Sequence, residues 1–587
     1  MHRWLASFLV SFSFISATRA DEPNAEDKKL ETVFKTYLDE EFKKRPLEAT
    51  RNGDHRFDHL LDDVSAEARA AGKARTQKMF DELPKLVSYE KLSRSGQIDF
   101  EIFRHSLKRD LWLIENTRPY EDDPRVYNDL ATESVYLLLS QSTEPKPVNL
   151  RNAAERIRQI PKAIEVAKKT LKNPPKVVLE TAIKQNKGAI AFYESSIYEL
   201  AEETPMLSTL KPAADKVVPV LKEYQKFLET EVLPNAKGEW RLGKEKFDQK
   251  LQLELDAGVN AAQVLADAEA EMDRVEGEMY VIARQLWHKH FPKQPMPPDD
   301  ANGKRLVIKK VLDVVSDEHG KPEDLVKDAT TMAGKIKNFI REKKILTLPE
   351  PDRCRIVEMP EFQRGNSIAY LNPAPPLDPK SASYYAISPP PREWDAKRTK
   401  SFMREYNRHM LQILTIHEAY PGHYVQLEYS NRHPSLIRKV LWSGVFAEGW
   451  AVYTEGVMAD EGFGGDELAF RLNQLKWYLR AVANAILDYR MHCTDMTDEE
   501  AMHLLVTRAY QSEGEAVLKV IRAKQSSAQL STYFVGRMAF QRLRRQMQNE
   551  LKEKFELGAF HEAVLSHGTL PVKYLPEIVG RQLGVRK

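Results

Sequence analysis

The residues best suited to chemistry lie in TIHEAYPGHYVQ, residues 415–426. His417 and Glu418 stand side by side, and His423 follows six residues after the first histidine. Two imidazoles and a neighbouring carboxylate are the parts of a metal-assisted hydrolase, in which the imidazoles hold zinc and the carboxylate takes a proton from water. In the helical pattern H-E-x-x-H the two histidines are four apart and share a face. Here Pro421 stands where the second histidine belongs. On a straight helix His423 would point about 120° away from His417 and lie about 9 Å further along, which is incompatible with Zn–N bonds of about 2.0–2.1 Å to one ion. Proline removes a backbone donor and clashes with the preceding turn, and glycine opens backbone angles that other residues avoid. Pro421 and Gly422 therefore predict a bulge that loops out two residues and returns His423 to the side of His417.

A zinc site that keeps a position for water needs a third protein ligand. VFAEGWAVYTEG, residues 445–456, offers two. A period of 3.6 puts Leu441, Val445, Glu448, Val452 and Glu455 on one face, and a carboxylate among apolar side chains is costly to bury unless it is paired or metal-bound. Either glutamate can be the ligand. Glu448 is preferred, with Glu455 orienting a histidine, and a salt-bridged helix face is the alternative use of the pair. Upstream, Met403, Tyr406, Met410, Ile413 and His417 recur three and four apart, so His417 continues the buried face of one helix.

Composition frames these elements. Glycine makes up 25 of 587 residues, about 4% against a usual share of roughly 7%, which favours helix. Basic and acidic residues number 88 and 86, net +2, so no bulk charge draws nucleic acid or an anionic membrane surface. Residues 1–20 combine Arg3, an apolar stretch and small residues ending at Ala20. This is the layout of a cleaved export signal, which leaves a mature chain outside the cytoplasm and off the membrane. Two cysteines, Cys354 and Cys493, are free to pair in such a compartment but do not make a disulfide scaffold. Helical periodicity covers about 25–45, 87–116, 176–203, 212–231, 258–290 and 321–343, with Pro161 marking a start or kink and Asn173-Pro174-Pro175 a stop. The chain divides into an N-terminal helical region, 21–239, and a region with the motifs, 240–587. Between Pro349 and Pro391 helix periodicity is lost, and residues 383–388, beside three prolines, predict a short edge strand able to hold an extended peptide.

HEAYPGHYVQ, FAEGWAVYTEG and LSTYFVGR together resemble the family called domain of unknown function 885. HRFDHLLDDVSAEA, WRLGKEKFDQKL and HGTLPVKYLPEIV extend the resemblance over nearly the whole chain. The family is grouped with glutamate-ligand zinc metallopeptidases of the angiotensin-converting, thimet-oligopeptidase and Taq-carboxypeptidase types. In that group the glutamate ligand follows the second histidine by about two dozen residues, the place of Glu448. The resemblance implies a mainly α, multi-helix zincin-like body with a small β-sheet beside the motif helix and a deep cleft.

It also implies one Zn2+ per chain on His417, His423 and Glu448, with Glu418 as general base and short peptides as substrates. Tyr533 matches a family tyrosine suited to stabilising an oxyanion. Just upstream the family pattern Pro-Gly-Gln is replaced by Ser527-Ala528-Gln529, which keeps Gln529 but alters the turn. Asp488 and His492, four apart, match an Asp and a His of the family; His492 is a candidate for contact with substrate, or a core histidine bonded to Asp488. Arg537, one turn after Tyr533, is a candidate for a peptide carboxylate. Trp442, Trp450 and Trp477 are read as packing. A zinc hydrolase of a non-peptide amide, or an inactive exported helical binding protein, shares many of these residues; Glu418 argues against the latter, since metal binding alone does not need it.

Overall fold

Helices occupy 73% of the described residues, as scarce glycine and three-four apolar spacing require. The computed structural model describes residues 23–359, 369–378, 380–391, 394–465 and 467–585; the expected export signal lies outside the described residues. Ala25–Lys44, Arg94–Asn116, Lys176–Ala191, Leu207–Phe227, Ala261–His290 and Leu325–Glu342 match the periodic stretches. Pro161 starts no helix. Lys146–Thr170 runs through it, because Ile157, Ile160 and Ile164 keep one continuous buried face there.

The buried apolar residues form two clusters. The larger joins Leu30, Phe34 and Phe103 to the helices after Trp240. The smaller is built from Tyr127, Ile157, Leu179, Leu221 and their neighbours. Between them runs a cleft of about 1040 Å³, whose lining includes Asn128 and Lys184 from helices of the smaller cluster and His417 and Tyr533 from the larger. Bonds across this seam are polar. Arg125 donates to the Gln525 side chain at 3.1 Å, and the Gln525 amide donates to the Val177 carbonyl at 2.9 Å and the Thr181 hydroxyl at 2.6 Å.

A three-stranded sheet lies beside the motif helix, Arg408–Glu418. Its strands are β1 (Cys354–Glu358), β2 (Ala369–Asn372) and β3 (Ser383–Ile387), in the order β1-β3-β2. β3 pairs parallel with β1 and antiparallel with β2. The strand expected at the edge is therefore central. Pro389, Pro390 and Pro391 follow its end, so no ladder donor is lost within it. Ala369 and Tyr370 of β2, not β3, bring an outer strand to the cleft. Tyr385 ties the sheet to the motif helix, its hydroxyl 3.3 Å from that of Thr415. Cys354 and Cys493 are both free.

The loop entering β3 is clamped by the HRFDHLLDD segment. His55 Nδ1 lies 2.8 Å from an Asp58 oxygen, and its Nε2 lies 3.3 Å from Asp378. Asp378 also accepts from the Thr143 hydroxyl at 2.6 Å, and fully buried Asp58 faces Arg156 at 3.6 Å. Gly53, at φ +81°, packs so closely that a Cβ would meet Asp378 at 2.7 Å. Burial acts to lower the His55 pKa, but the bond and charge of Asp58, and then of Asp378, outweigh it and lift it to about 8. A histidine raised above its unfolded value near 6.5 contributes fully below that pH and ceases to contribute as pH rises through about 8. The contribution is about 1 kcal/mol after allowance for solvent screening. Melting of wild type and His55→Gln from pH 6 to 9 should show a gap that closes as pH rises; a constant gap contradicts the charged clamp.

Candidate metal centre

The motif helix starts at Asn407, whose side chain accepts from the His409 and Met410 N–H groups. The stripe from Met403 to His417 is therefore shared by two helices, Ala396–Glu405 and Arg408–Glu418, although all five of its residues are buried. Nor does the motif helix bulge at Pro421. It ends at Glu418, residues 419–422 form a joint with a cis Tyr420–Pro421 bond, and His423 is the first residue of a new helix, His423–Arg432. A break re-aims the second helix where a bulge would keep its axis. Gly422 donates its N–H to the Ile416 carbonyl at 3.0 Å, and Trp450 donates its indole N–H to the Pro421 carbonyl at 2.9 Å. The two imidazoles meet edge to face, 4.7 Å between centroids.

Glu448 arrives from the helix Gly444–Asp460. Its Oε2 lies 3.4 Å from His423 Nε2 and 3.8 Å from His417 Nε2. One donor atom from each of the three lies within 4.8 Å of the others, a geometry able to hold a metal ion. The donor set, two imidazoles and one carboxylate, suits zinc. Glu455, two turns after Glu448 and fully buried, takes His417 Nδ1 at 2.7 Å. The same Glu455 oxygen accepts the Trp477 indole N–H at 3.1 Å. That oxygen is an acceptor, so His417 donates from Nδ1 and turns the Nε2 lone pair toward Glu448. Burial, and then His423, depress the His417 pKa to about 4. Burial pushes the Glu455 carboxyl well above its usual range.

Tyr533 reaches the centre because two helices touch backbone to backbone. A Cβ on Gly449 would meet the Gly536 Cα at 2.3 Å, and one on Gly536 would meet the Val445 carbonyl oxygen at 2.0 Å. Gly449 follows Glu448, and Gly536 lies about one turn after Tyr533, so the crossing brings tyrosine and glutamate together. The Tyr533 oxygen accepts from Arg522 at 3.2 Å and Gln529 at 3.4 Å. Burial, and then the Glu448 charge, raise its pKa to about 12. Glu418 lines the cleft with His417 and Tyr533.

The turn that differs from the family pattern places Ala528 where a glycine would be at ease. Ala528 adopts φ +68°, the left-handed region that glycine takes freely and other residues enter at roughly 1–2 kcal/mol. Asp488 holds it, accepting from the N–H groups of Ala528 and Ser531, each at 3.0 Å, and from the Ser531 hydroxyl at 2.7 Å.

His492 and Arg537 have other posts than those expected. The Nε2 of His492 is bound to the Ala523 and Ser526 carbonyls, and its Nδ1 accepts from the Leu242 N–H. Phe247 stacks on its ring. With both nitrogens committed to backbone, His492 braces the turn and has no atom left for substrate; among the described residues it makes no bond to Asp488. Arg537 is buried with its guanidinium 3.5 Å over the Tyr478 ring and Nη1 at 3.1 Å from Gln541, so it does not face the cleft. Trp450 and Trp477 do more than pack, and Arg522, Lys519 and Arg480 line the cleft unforeseen. A buried indole N–H needs an acceptor, the one sequence signal that pointed to the tryptophans.

Replacing Asp488 with alanine strands two buried backbone N–H groups at about 1–3 kcal/mol each. Denaturant unfolding of Asp488→Ala should show a loss of about 2–5 kcal/mol; a loss below 1 kcal/mol would exclude Asp488 as the anchor of the turn.

Residues 46–579 match the family described as "Bacterial protein of unknown function (DUF885)". A "putative lipoprotein of unknown function" from Shewanella oneidensis has a similar structure, with a TM-score of 0.79 and 30% identity over 94% of this chain and 100% of that one. A protein described as a "putative lipoprotein", from Colwellia psychrerythraea, shares the fold with a TM-score of 0.78 at 18% identity, over 96% of this chain and 100% of that one. No curated protein matches the chain. Among the described residues no helix is long and apolar enough to cross a membrane. The match spans both the metal-binding candidates and the braces around them, and the chain belongs to the DUF885 family.

Proposed function

We propose that this protein is an exported zinc-dependent peptidase that hydrolyses short peptides with Glu418 as general base. What supports it is the convergence of His417, His423 and Glu448 donor atoms within 4.8 Å, beside a cleft whose lining includes His417, Glu418 and Tyr533. His417, His423 and Glu448 would hold a zinc ion, which would supply Lewis acidity and lower the pKa of a bound water toward about 7. Glu418 accepts the proton of the attacking water and passes it to the leaving amine. The Tyr533 oxygen already accepts from Arg522 and Gln529, which leaves its own hydrogen uncommitted. With its pKa near 12 the hydroxyl stays protonated at neutral pH and donates to the carbonyl oxygen as negative charge develops there. Glu455 fixes the His417 ring throughout. A cleft of about 1040 Å³ suits a short peptide better than a folded protein. Export is supported by the leader-like first twenty residues and by the description of the structural relatives as lipoproteins.

Glu418→Gln should retain about one zinc per chain by metal analysis yet lose about 10²–10⁴-fold in peptide hydrolysis. Wild-type hydrolysis should stop on chelation and return with zinc. Full activity of the variant would remove Glu418 from the base role.

Zinc uptake should also release protons. Burial opposes charge on His423, but the hydrogen bond and charge of Glu448 outweigh it and raise its pKa above 6.5, whereas His417 is already neutral. Calorimetric titration of the metal-free protein with zinc, in buffers of different ionisation enthalpy, should show proton displacement at pH 6.5 that falls as pH rises. A count unchanged across that range would contradict the His423 assignment.

A further inference from the structure

The cleft wall next to Tyr533 is formed by the helix Glu513–Gln525, which presents Lys519 and, three residues on, Arg522. Most cations nearby are matched. Arg480 lies 3.0 Å from Glu515 and 3.4 Å from Glu405, and Lys476 lies 3.0 Å from Glu405, so two carboxylates neutralise two cations. Glu515 is held further by the Tyr406 hydroxyl at 2.9 Å. Lys519 and Arg522 are left over. Arg522 bonds the Gln529 side-chain oxygen at 2.9 Å and the Tyr533 oxygen at 3.2 Å, both neutral partners. Lys519, half-buried, makes no hydrogen bond or ion pair among the described residues, yet it lines the cleft. Half-buried Lys519 and the more exposed Arg522 share one helical face of the cleft without a carboxylate bonded to either, and the partial desolvation of Lys519 is left uncompensated. An anionic ligand would offset it.

We propose that Lys519 and Arg522 bind a carboxylate of the substrate, and that this carboxylate is the C-terminus of a short peptide whose nearby amide bond lies at His417, His423 and Glu448. This rests on the peptidase reading and deepens it: hydrolysis is directed from the carboxyl end. Arg522 touches Tyr533, so the carboxylate docks beside the hydroxyl that serves the reacting carbonyl, and the scissile bond falls close to the C-terminus. Guanidinium and ammonium together suit a carboxylate, one by paired N–H donors and the other as a compact charge. The electrostatics agree. Burial, followed by Arg522 and Arg480, depresses the Lys519 pKa against the opposing charges of Glu515 and Glu448, and a bound carboxylate would add to that opposition.

The test uses peptides identical except for a free or amidated C-terminus, and an amidated set carrying one internal Asp or Glu. Hydrolysis is followed with zinc-loaded wild type, and equilibrium binding with zinc-loaded Glu418→Gln, alone and combined with Lys519→Met or Lys519→Arg. Free-acid peptides should bind at least tenfold tighter than their amides and be cleaved with a correspondingly lower KM. Lys519→Met should erase most of that difference without changing amide binding, and Lys519→Arg should restore it. Equal binding of acid and amide, or a preference that survives Lys519→Met, overturns the proposal. If the acidic side chain of an amidated peptide substitutes fully for the free terminus, the site reads acidic side chains and the C-terminal assignment falls. If no peptide is hydrolysed the peptidase reading fails by itself, while the binding comparison still decides whether Lys519 holds a carboxylate.

Discussion

Gly422 lies against the end of the motif helix so closely that a Cβ there would stand 1.9 Å from the His417 carbonyl oxygen and 2.3 Å from that of Ile416. The chain leaving His417 folds back on the last turn of its own helix, and only a residue without a side chain fits the return. Everything at the centre follows from that contact. It lets a second helix begin at His423 in a new direction, so an imidazole six residues away meets the first. Trp450 then seals the joint from the helix that carries Glu448, so the third donor and the joint are fixed by one element. Tyr420 anchors the other side, its hydroxyl donating to Asp352 at 2.8 Å.

Much of this was legible in the sequence, and the reasons separate the successes from the misses. That His417, His423 and Glu448 come together could be anticipated because few residue types suit a metal, because Pro421 and Gly422 signal a departure from a straight helix, and because helical period reports which residues share a face. Glu455 behind His417 followed from the same period. The form of the joint did not, since a proline and a glycine announce that a helix cannot continue regularly but not whether it swells or stops. The proline rule misplaced β3 because Pro389 follows the strand's last residue rather than interrupting its ladder. His492 and Asp488 looked like a pair because four residues separate them on a helix, yet their side-chain bonds go to residues 523–531 and to Leu242, and long-range partners leave no local period. Lys519 and Arg522 were invisible for a related reason: a cation's significance lies in the absence of a partner, which only the fold reveals.

The family stretches outside the motif are braces. HRFDHLLDD clamps the loop entering β3 through His55 and Asp58. In WRLGKEKFDQKL, Leu242 and Phe247 hold His492, and Lys250 donates to the Ser527 hydroxyl at 2.8 Å, so this stretch supports the turn before Tyr533. In HGTLPVKYLPEIV, Thr569 accepts from Gln426 at 2.6 Å through its hydroxyl and from the Ser443 N–H at 2.8 Å through its carbonyl. It thereby ties the helix of His423 to the start of the helix of Glu448. Segments hundreds of residues apart in the chain thus converge on the few ångströms that separate three donor atoms.

The two sides of the cleft are held by different forces. On one, glycine meets glycine and no atom can be displaced without a clash. On the other, Arg125, Gln525 and Thr181 form a stitch of hydrogen bonds that water can replace one for one. The contacts that span the seam are thus separate from those that set the spacing of His417, His423 and Glu448. The width of the cleft and the spacing of its donor atoms are thereby governed by different contacts, so one can vary without the other.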